Sequence, residues 1–495
     1  MTSPDTKKKE EQRPSRWRDH LEAATMAIVV AVMLKYFVVE AYQIPSGSMQ
    51  PTLMGSPEAG IFDRILVDKF SFHVRDPERW EVCVFKYPLD RSKSFIKRLV
   101  GMPGEQLRVQ FGDLWTRSDA ALPWKVLRRP EPVQNAVWKK LDPAEQRYLA
   151  WKPDAGARTW VTHGRAGFEA RGKGAMRIPA EGDSIRDLYC DGYPDSMAPK
   201  LKQSDRVRRE VPSGFNDVGD VRVEGRIQAR ENLRAFTIEL REGERIYSFV
   251  LPGPAANGGW APWKVDLPAS SKAYPAQPDS NVLTKAEGAE EKQKLAAGRR
   301  VEFAAQNMDD LLQLELDGEV VWQIEIPAAA DQRSSITLRF DGDADVDELQ
   351  VYRDIFYTQG GGMLAEFEIP ADSYVMMGDN TQDSSDSREW KLASYKWDGP
   401  GSNGEWVHGN RRGNPSALRD DPNPKRVLES GGARLFFRDE WGELHTFRET
   451  PGCEGQFTPA PYVPRGLITG RAVLVFWPCW PLTPGLDSTR LKWIR

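Results

Sequence analysis

Hydrophobic and polar positions change character several times along this chain. Residues 1 to 20 are polar and basic, with Lys7, Lys8, Lys9, Arg13, Arg16 and Arg18, and they precede the apolar run Ala23 to Leu34. The run resumes past Lys35 as Tyr36, Phe37, Val38 and Val39 before Glu40, so Leu21 to Tyr42 approaches the ~20 residues that span a bilayer core at ~1.5 Å each. A cleavable signal peptide and a buried helix are the competing readings, but no small-x-small site ends the run. Lys35 can snorkel to an interface, and the basic flank keeps the N-terminus cytoplasmic. The pattern predicts a basic tail over 1–20 and one transmembrane helix over 21–41.

Beyond it, short stretches rich in apolar and β-branched residues predict strands at Asp63 to Phe70 (DRILVDKF) and Val82 to Tyr87 (VCVFKY). From 209 to 357 the pattern alternates: Phe236, Ile238 and Leu240 face one way, Thr237 and Glu239 the other. Within LQLELDGEVVW, Asp317-Gly318 is a strong two-residue hairpin signal, and Ile336 to Phe340 and Leu349 to Tyr352 continue the series. A β-sandwich of about ten short strands follows, similar to a laminin-G or concanavalin-like module. Residues 106–208 give mixed signals and no role, and 391–459, rich in Gly, Pro, Asn and Asp, reads as a partly ordered loop. GLITGRAVLVFW, after Tyr462 to Pro464, reads as a turn and a last strand. Its Phe476 and Trp477, with Trp480, pack in a core or form an aromatic belt at lipid headgroups.

A length of 495 residues suits about two to four domains, and 40% hydrophobic with 28% charged residues is ordinary globular composition. The net charge of -4, with no basic block outside the N-terminus, argues against a nucleic-acid partner. Cys83, Cys190, Cys453 and Cys479 form no CxxC pair, which argues against zinc and leaves any disulfide pairing open. His20, His73, His163, His408 and His445 sit in no hydrolase signature.

The chemistry concentrates in IPSGSMQPTL (Ile44 to Leu53), FIKRLVGMPG (Phe95 to Gly104) and GDNTQDSSDSR (Gly378 to Arg388). Taken alone, PSGSM is a turn in which Ser46 and Ser48 satisfy backbone groups. A serine becomes a nucleophile only when a base removes its proton, and a lysine is such a base only when burial disfavours its ammonium form. Strand alternation puts Phe95, Lys97 and Leu99 on one face, Ile96 and Arg98 on the other.

In this order the blocks resemble type I signal peptidases, membrane-bound serine proteases with a Ser/Lys dyad that remove signal peptides from exported proteins. The resemblance covers 21–105, 365–390 and 460–480, roughly a quarter of the chain. It implies Ser48 as nucleophile, Lys97 as general base, and the Ser48 amide with the Ser46 hydroxyl as oxyanion hole. It further implies Ser384 bonded to the Lys97 amine, and Asp379, Asp386 and Arg388 stiffening the loop, with Arg98 pairing to one aspartate. No metal and no cofactor is implied. The chain departs from the family pattern at Phe95, Thr381 and Asp383, where tyrosine, arginine and asparagine are usual.

The expected architecture is therefore mainly β: an all-β catalytic core over 42–105, 358–390 and 460–495, anchored by one N-terminal helix and interrupted by the sandwich. Expected partners are signal peptides of exported preproteins cut after small residues, the lipid bilayer and an unknown ligand of the sandwich. The expected location is the inner membrane, with the catalytic part extracytoplasmic. A self-cleaving repressor protease and a membrane-tethered sandwich binding protein with a non-catalytic core are the competing readings. GDNTQDSSDSR lacks the mid-loop glycine and closing glutamate of a calcium loop, and the acidic run DGDADVDE at 341–348, which offers carboxylates for calcium, is expected to be a solvated turn.

Overall fold

The computed structural model describes residues 16–56, 61–141, 149–153, 160–162, 167–179, 181–187, 216–257, 263–266, 284–285, 294–359, 366–382, 384–399, 401–402, 404–412, 422–477 and 491–495. An eight-stranded sheet carries all three blocks. Its order is Val39–Gln43, Arg64–Asp68, Ile468–Trp477, Val82–Lys86, Ser94–Gly101, Ser373–Met377 and Tyr462–Pro464, with Lys492–Trp493 added to Ile468–Trp477. Every pairing is antiparallel. The strand Val82–Lys86 reads as continuously apolar because both its faces are covered. Cys83, Phe85 and Leu99 pack with Tyr87, Tyr374 and Trp390 on one side. Val82 and Val84 pack with Ile65, Val67 and Met49 on the other. Each such side chain contributes on the order of 1.5–3 kcal/mol by leaving water.

The expected end of this core at residue 105 falls short. Gln106–Gln110 and Asp113–Arg117 form a hairpin whose turn, Phe111 (φ 57°) and Gly112 (φ 96°), is left-handed at both positions. With Lys125–Val126 and Glu366–Glu368 it makes a four-stranded sheet. Its Leu107, Val109 and Leu114 share one apolar cluster with Trp80, Val100 and Val375 of the main sheet.

The sandwich is present as a nine-stranded and a six-stranded sheet around a single apolar cluster. Phe236, Ile238 and Leu240 point into it, and Asp317 (φ 50°) and Gly318 (φ 79°) form the expected tight turn. It is larger than expected, because Lys139–Leu141, Lys152–Pro153, Trp160–Thr162, Phe168–Ala170 and Lys173–Ile178 also pair into its sheets. Those strands lie in the stretch 106–208 for which no role was read. Most are too short to show a period.

Residues 391–459 are not a partly ordered loop. They form two three-stranded sheets, Val407–Asn410, Lys391–Lys396, Glu454–Pro459 and Lys425–Glu429, Gly432–Arg438, Leu444–Arg448. Leu435, Phe437 and Phe447 pack there on Ala393 and Trp397. Their alternation was present in ARLFF, hidden among turn residues.

The predicted span of 21–41 is also redrawn. An α-helix runs over Arg16–Met33, a π-helical turn follows at Leu34–Val38, and Val39–Gln43 is already a strand of the core sheet. Among the described residues no helix is long and apolar enough to cross a membrane. Val38-Val39 is β-branched and suits a strand as well as an apolar helix end.

Candidate active site

After Val39–Gln43 the chain tightens into one 3₁₀ turn, Gly47–Met49, with Ser46 extended before it (φ -136°, ψ 163°). Met49 and Leu53 plug this loop into the apolar cluster of Ile65, Val67 and Val84, which leaves Ser48 only 8% exposed. Asn380 fastens it from above. Its N–H donates to the Ser48 carbonyl at 3.1 Å and its Nδ2 to the Gly47 carbonyl at 3.2 Å. The Ser48 N–H belongs to the first turn of the 3₁₀ segment, whose amides have no intrahelical acceptor.

Lys97 comes from the strand Ser94–Gly101, opposite Cys83 in register. It is 5% exposed, and its Nζ donates to Ser48 Oγ at 2.6 Å. The Ser46 hydroxyl donates to Ser48 Oγ at 3.4 Å. One side of the amine faces the Phe95 ring, 5.8 Å to its centroid. That ring stacks on Tyr87 at 4.4 Å, and Trp390 meets Tyr87 edge-on at 5.1 Å. An amine in this aromatic wall has lost most of its water, and desolvation disfavours the charged form.

Arg98, on the opposite face of the strand, is fully buried. Its Nε and Nη2 donate to the two Asp379 oxygens at 2.8 Å each, and its Nη1 to the Trp80 carbonyl at 2.7 Å. Thr52, four residues past Ser48, donates its hydroxyl to Asp379. Burial alone would raise the Asp379 carboxyl, but the Arg98 charge and these hydrogen bonds outweigh it and hold it below the usual carboxylate range. The same balance holds Asp386 low. Burial opposes it, while Arg388 (2.8 and 2.6 Å) and the Gly378 N–H (2.9 Å) prevail.

The structure thus brings Ser46, Ser48 and Lys97 together and sets Arg98, Asp379, Asp386 and Arg388 behind them. Ser384 differs from expectation. It is 6% exposed, and its hydroxyl makes no hydrogen bond to the Lys97 amine but sits by the Asp386 carboxyl, which it helps to hold low. Its Oγ instead lies against Gly378, where an added Cβ would stand 2.2 Å away. At the departures from the family pattern, the Thr381 hydroxyl donates to the Phe356 carbonyl at 2.7 Å, and Asp383 lies outside the described residues. Sequence reading did not single out Thr52, Asn380 or Gly378. Their only signal was membership of the blocks.

The acidic stretch 341–348 is largely strand, Ala344–Arg353, rather than a turn. Asp345 there pairs with Arg171 at 3.1 Å and with Arg230. Cys83 and Cys453 are free thiols, and Cys190 and Cys479 lie outside the described residues.

Residues 17–146 match the family model described as signal peptidase, peptidase S26. A probable signal peptidase I-2 of Synechocystis is 39% identical over 116 residues, 22% of this chain and 50% of the relative. Signal peptidase I of Pseudomonas fluorescens is 42% identical over 93 residues, 16% and 31%. A probable signal peptidase I-1 of Synechocystis is 32% identical over 134 residues, 25% and 65%. The chain spans about half of the first relative's length and less of the second's. Among solved structures, the carbohydrate-binding module CBM66 from Bacillus subtilis has a TM-score of 0.23 at 10% identity, covering 41% of this chain and 96% of that one. Domain 4 of AbnA, an extracellular arabinanase from Geobacillus stearothermophilus, has a TM-score of 0.22 at 11% identity, covering 41% and 78%. Scores this low carry no argument about a ligand. The family model and the curated relatives thus make the N-terminal part of this chain similar to signal peptidases.

Proposed function

We propose that this chain is a membrane-bound serine endopeptidase that removes N-terminal signal peptides from exported preproteins after small residues, through a Ser48/Lys97 dyad. The observation that carries the reading is the 2.6 Å contact between two buried side chains, Lys97 Nζ and Ser48 Oγ. Neutral Lys97 accepts the Ser48 proton as Ser48 Oγ attacks the scissile carbonyl. The Ser48 N–H and the Ser46 hydroxyl donate to the developing oxyanion. Lys97 then passes its proton to the leaving amine, and the Ser48 ester remains. A water that gives its proton to neutral Lys97 hydrolyses that ester and restores the serine.

Small residues at P1 and P3 fit a substrate that must lie close to the glycine-containing turn around Gly47. The helical stretch from Arg16 to Val38 supports membrane attachment: Met26, Ile28 and Phe37 on it are 61% to 70% exposed. The basic residues before it support an N-terminus on the cytoplasmic side of the inner membrane, with the catalytic part on the other. Phe70 (54% exposed), beside the Lys69 amide that bonds Val38, adds to that apolar surface. The sandwich binds a further ligand of the export route or acts as a spacer.

The test is cleavage of an Ala-x-Ala preprotein by the full-length protein in detergent or vesicles. Wild type cuts at the Ala-x-Ala site, and Ser48→Ala and Lys97→Met do not. Wild-type-level cutting by either variant refutes the dyad.

A further inference from the structure

Where the sandwich meets the peptidase part, three aspartates from distant segments converge. Asp113 opens the second strand of the Gln106–Arg117 hairpin, Asp220 precedes the sandwich strand Val221–Ala229, and Asp309 sits in the turn between Arg300–Met308 and Leu311–Leu316. Their exposures are 6%, 7% and 2%, and one carboxylate oxygen from each lies within 4.8 Å of the others. Three carboxylates held that close in a low-dielectric interior repel one another strongly.

The nearby arginines, Arg129 and Arg128, offset charge on Asp309. Arg129 is committed to Asp354 at 2.7 Å and stands 3.8 Å from Asp309. Among the described residues neither Asp113 nor Asp220 forms an ion pair. A second, independent group points the same way. Asn307 is 1% exposed and its Oδ1 has no hydrogen-bond partner. It lies two residues before Asp309, at the end of the strand that leads into that turn, and its Nδ2 donates to the Gly219 carbonyl at 3.4 Å, next to Asp220. That bond brings the buried Asn307 amide beside the residue that precedes Asp220. Asp309 Oδ2 likewise has no hydrogen-bond donor.

We propose that Asp113, Asp220 and Asp309, with the Asn307 amide oxygen, bind a calcium ion that clamps the inserted sandwich to the peptidase part of the chain. The donor set is all oxygen, which selects a hard cation. Three carboxylates and an amide oxygen supplied by the protein itself suit calcium, which takes six to eight oxygen ligands in flexible geometry, better than magnesium, which keeps several waters and takes one or two carboxylates. Burial and mutual repulsion push the Asp113 and Asp220 carboxyls upward, an energetic problem a divalent cation resolves.

The ion stands outside the chemistry but next to what supports it. Gly112, beside Asp113, accepts from the Tyr357 N–H at 2.7 Å. The same short segment accepts Thr381 at the Phe356 carbonyl (2.7 Å) and Arg388 at the Thr358 carbonyl (3.0 Å). Both donors belong to the loop that carries Asp379 and Asp386.

The experiment uses the full chain, stripped with a chelator and titrated with calcium chloride, read by isothermal titration and by thermal unfolding. The wild type is expected to bind calcium saturably and to melt at a higher temperature when loaded. Asp220→Asn and Asp309→Asn should lose at least tenfold in affinity and the melting response, while Asp345→Asn, a sandwich acid paired with arginines, keeps both. Each substitution at the cluster removes a like charge, so without calcium these variants should melt no lower than wild type. A wild type that shows neither heat nor a melting shift with calcium overturns the proposal, and so does an unchanged response in Asp220→Asn and Asp309→Asn. An equal response to magnesium chloride at the same concentration overturns the choice of ion. The readouts involve no proteolysis, so they stand apart from the fate of the Ser48/Lys97 reading.

Discussion

Arg98 and Asp379 form a bidentate ion pair with both side chains at 0% exposure, on the strand position next to Lys97. Removing one partner leaves the other charged, buried and alone, which costs about 3–5 kcal/mol. Asp379→Ala should therefore lower the unfolding free energy measured by urea titration by that order, and cleavage should fall with it, because Thr52 and the Ser48 loop lose their anchor. A double substitution, Arg98→Met with Asp379→Leu, should recover much of the stability and little of the activity. Recovery of both would show that the pair has no part in placing the serine.

Acid should unfold the protein through the same pair and its neighbour. Asp379 and Asp386 are both held below the usual carboxylate range. A carboxyl with a depressed folded-state pKa binds fewer protons in the folded than in the unfolded chain. Its contribution is complete above the unfolded value of ~3.9 and is lost as pH falls through the lower folded value. Stability from these two groups should thus hold from neutrality to about pH 4 and decline below it. In Asp386→Asn the decline should be shallower, measured as the slope of unfolding free energy against pH. An identical slope would assign the acid limb elsewhere.

Gly378 offers a substitution that leaves every dyad atom in place. A Cβ there would stand 2.5 Å from the Ser48 carbonyl oxygen and 2.2 Å from Ser384 Oγ, distances that real contacts do not tolerate. The Ser48 carbonyl is held by Asn380, so the displacement passes to the nucleophile. A shift of about 1 Å costs on the order of 10²-fold in rate. Gly378→Ala should lower kcat/KM by that order while the protein still unfolds cooperatively. Full activity would mean that the loop yields without moving the serine.

What the sequence made legible follows its strong local signals. The blocks around Ser48, Lys97 and Asp379 were readable because short motifs carry them, and the sandwich was readable where alternation runs long, as at Phe236 to Leu240. Length decided the failures. Strands of two or three residues, such as Lys152–Pro153 and Phe168–Ala170, have no period to detect and owe their place to partners far along the chain. Gly and Pro around ARLFF concealed a hairpin in 391–459 that has its own apolar cluster. At the site, alternation correctly separated Lys97 from Arg98, yet nothing local could reveal that Ser384 lies against Gly378 rather than bonding the Lys97 amine. The cluster of Asp113, Asp220 and Asp309 was invisible for the same reason, since only folding brings those segments together.

The remaining prediction concerns what makes Lys97 a base. Its amine is 5% exposed, one side facing the Phe95 ring, itself stacked on Tyr87. If general-base catalysis by a neutral amine limits acylation, kcat/KM should rise with pH along a single limb as that amine loses its proton. Lys97→Arg should be inactive at every pH, since a guanidinium does not deprotonate in proteins and cannot accept the Ser48 proton. Phe95→Ser admits water to the amine and favours its ammonium form, so the ascending limb should move to higher pH while the plateau is largely kept. Both are measured from initial cleavage rates of a preprotein across a pH series. A limb that stays in place in Phe95→Ser would mean that the aromatic wall does not set the protonation of Lys97, and activity in Lys97→Arg would mean that another group takes the serine proton.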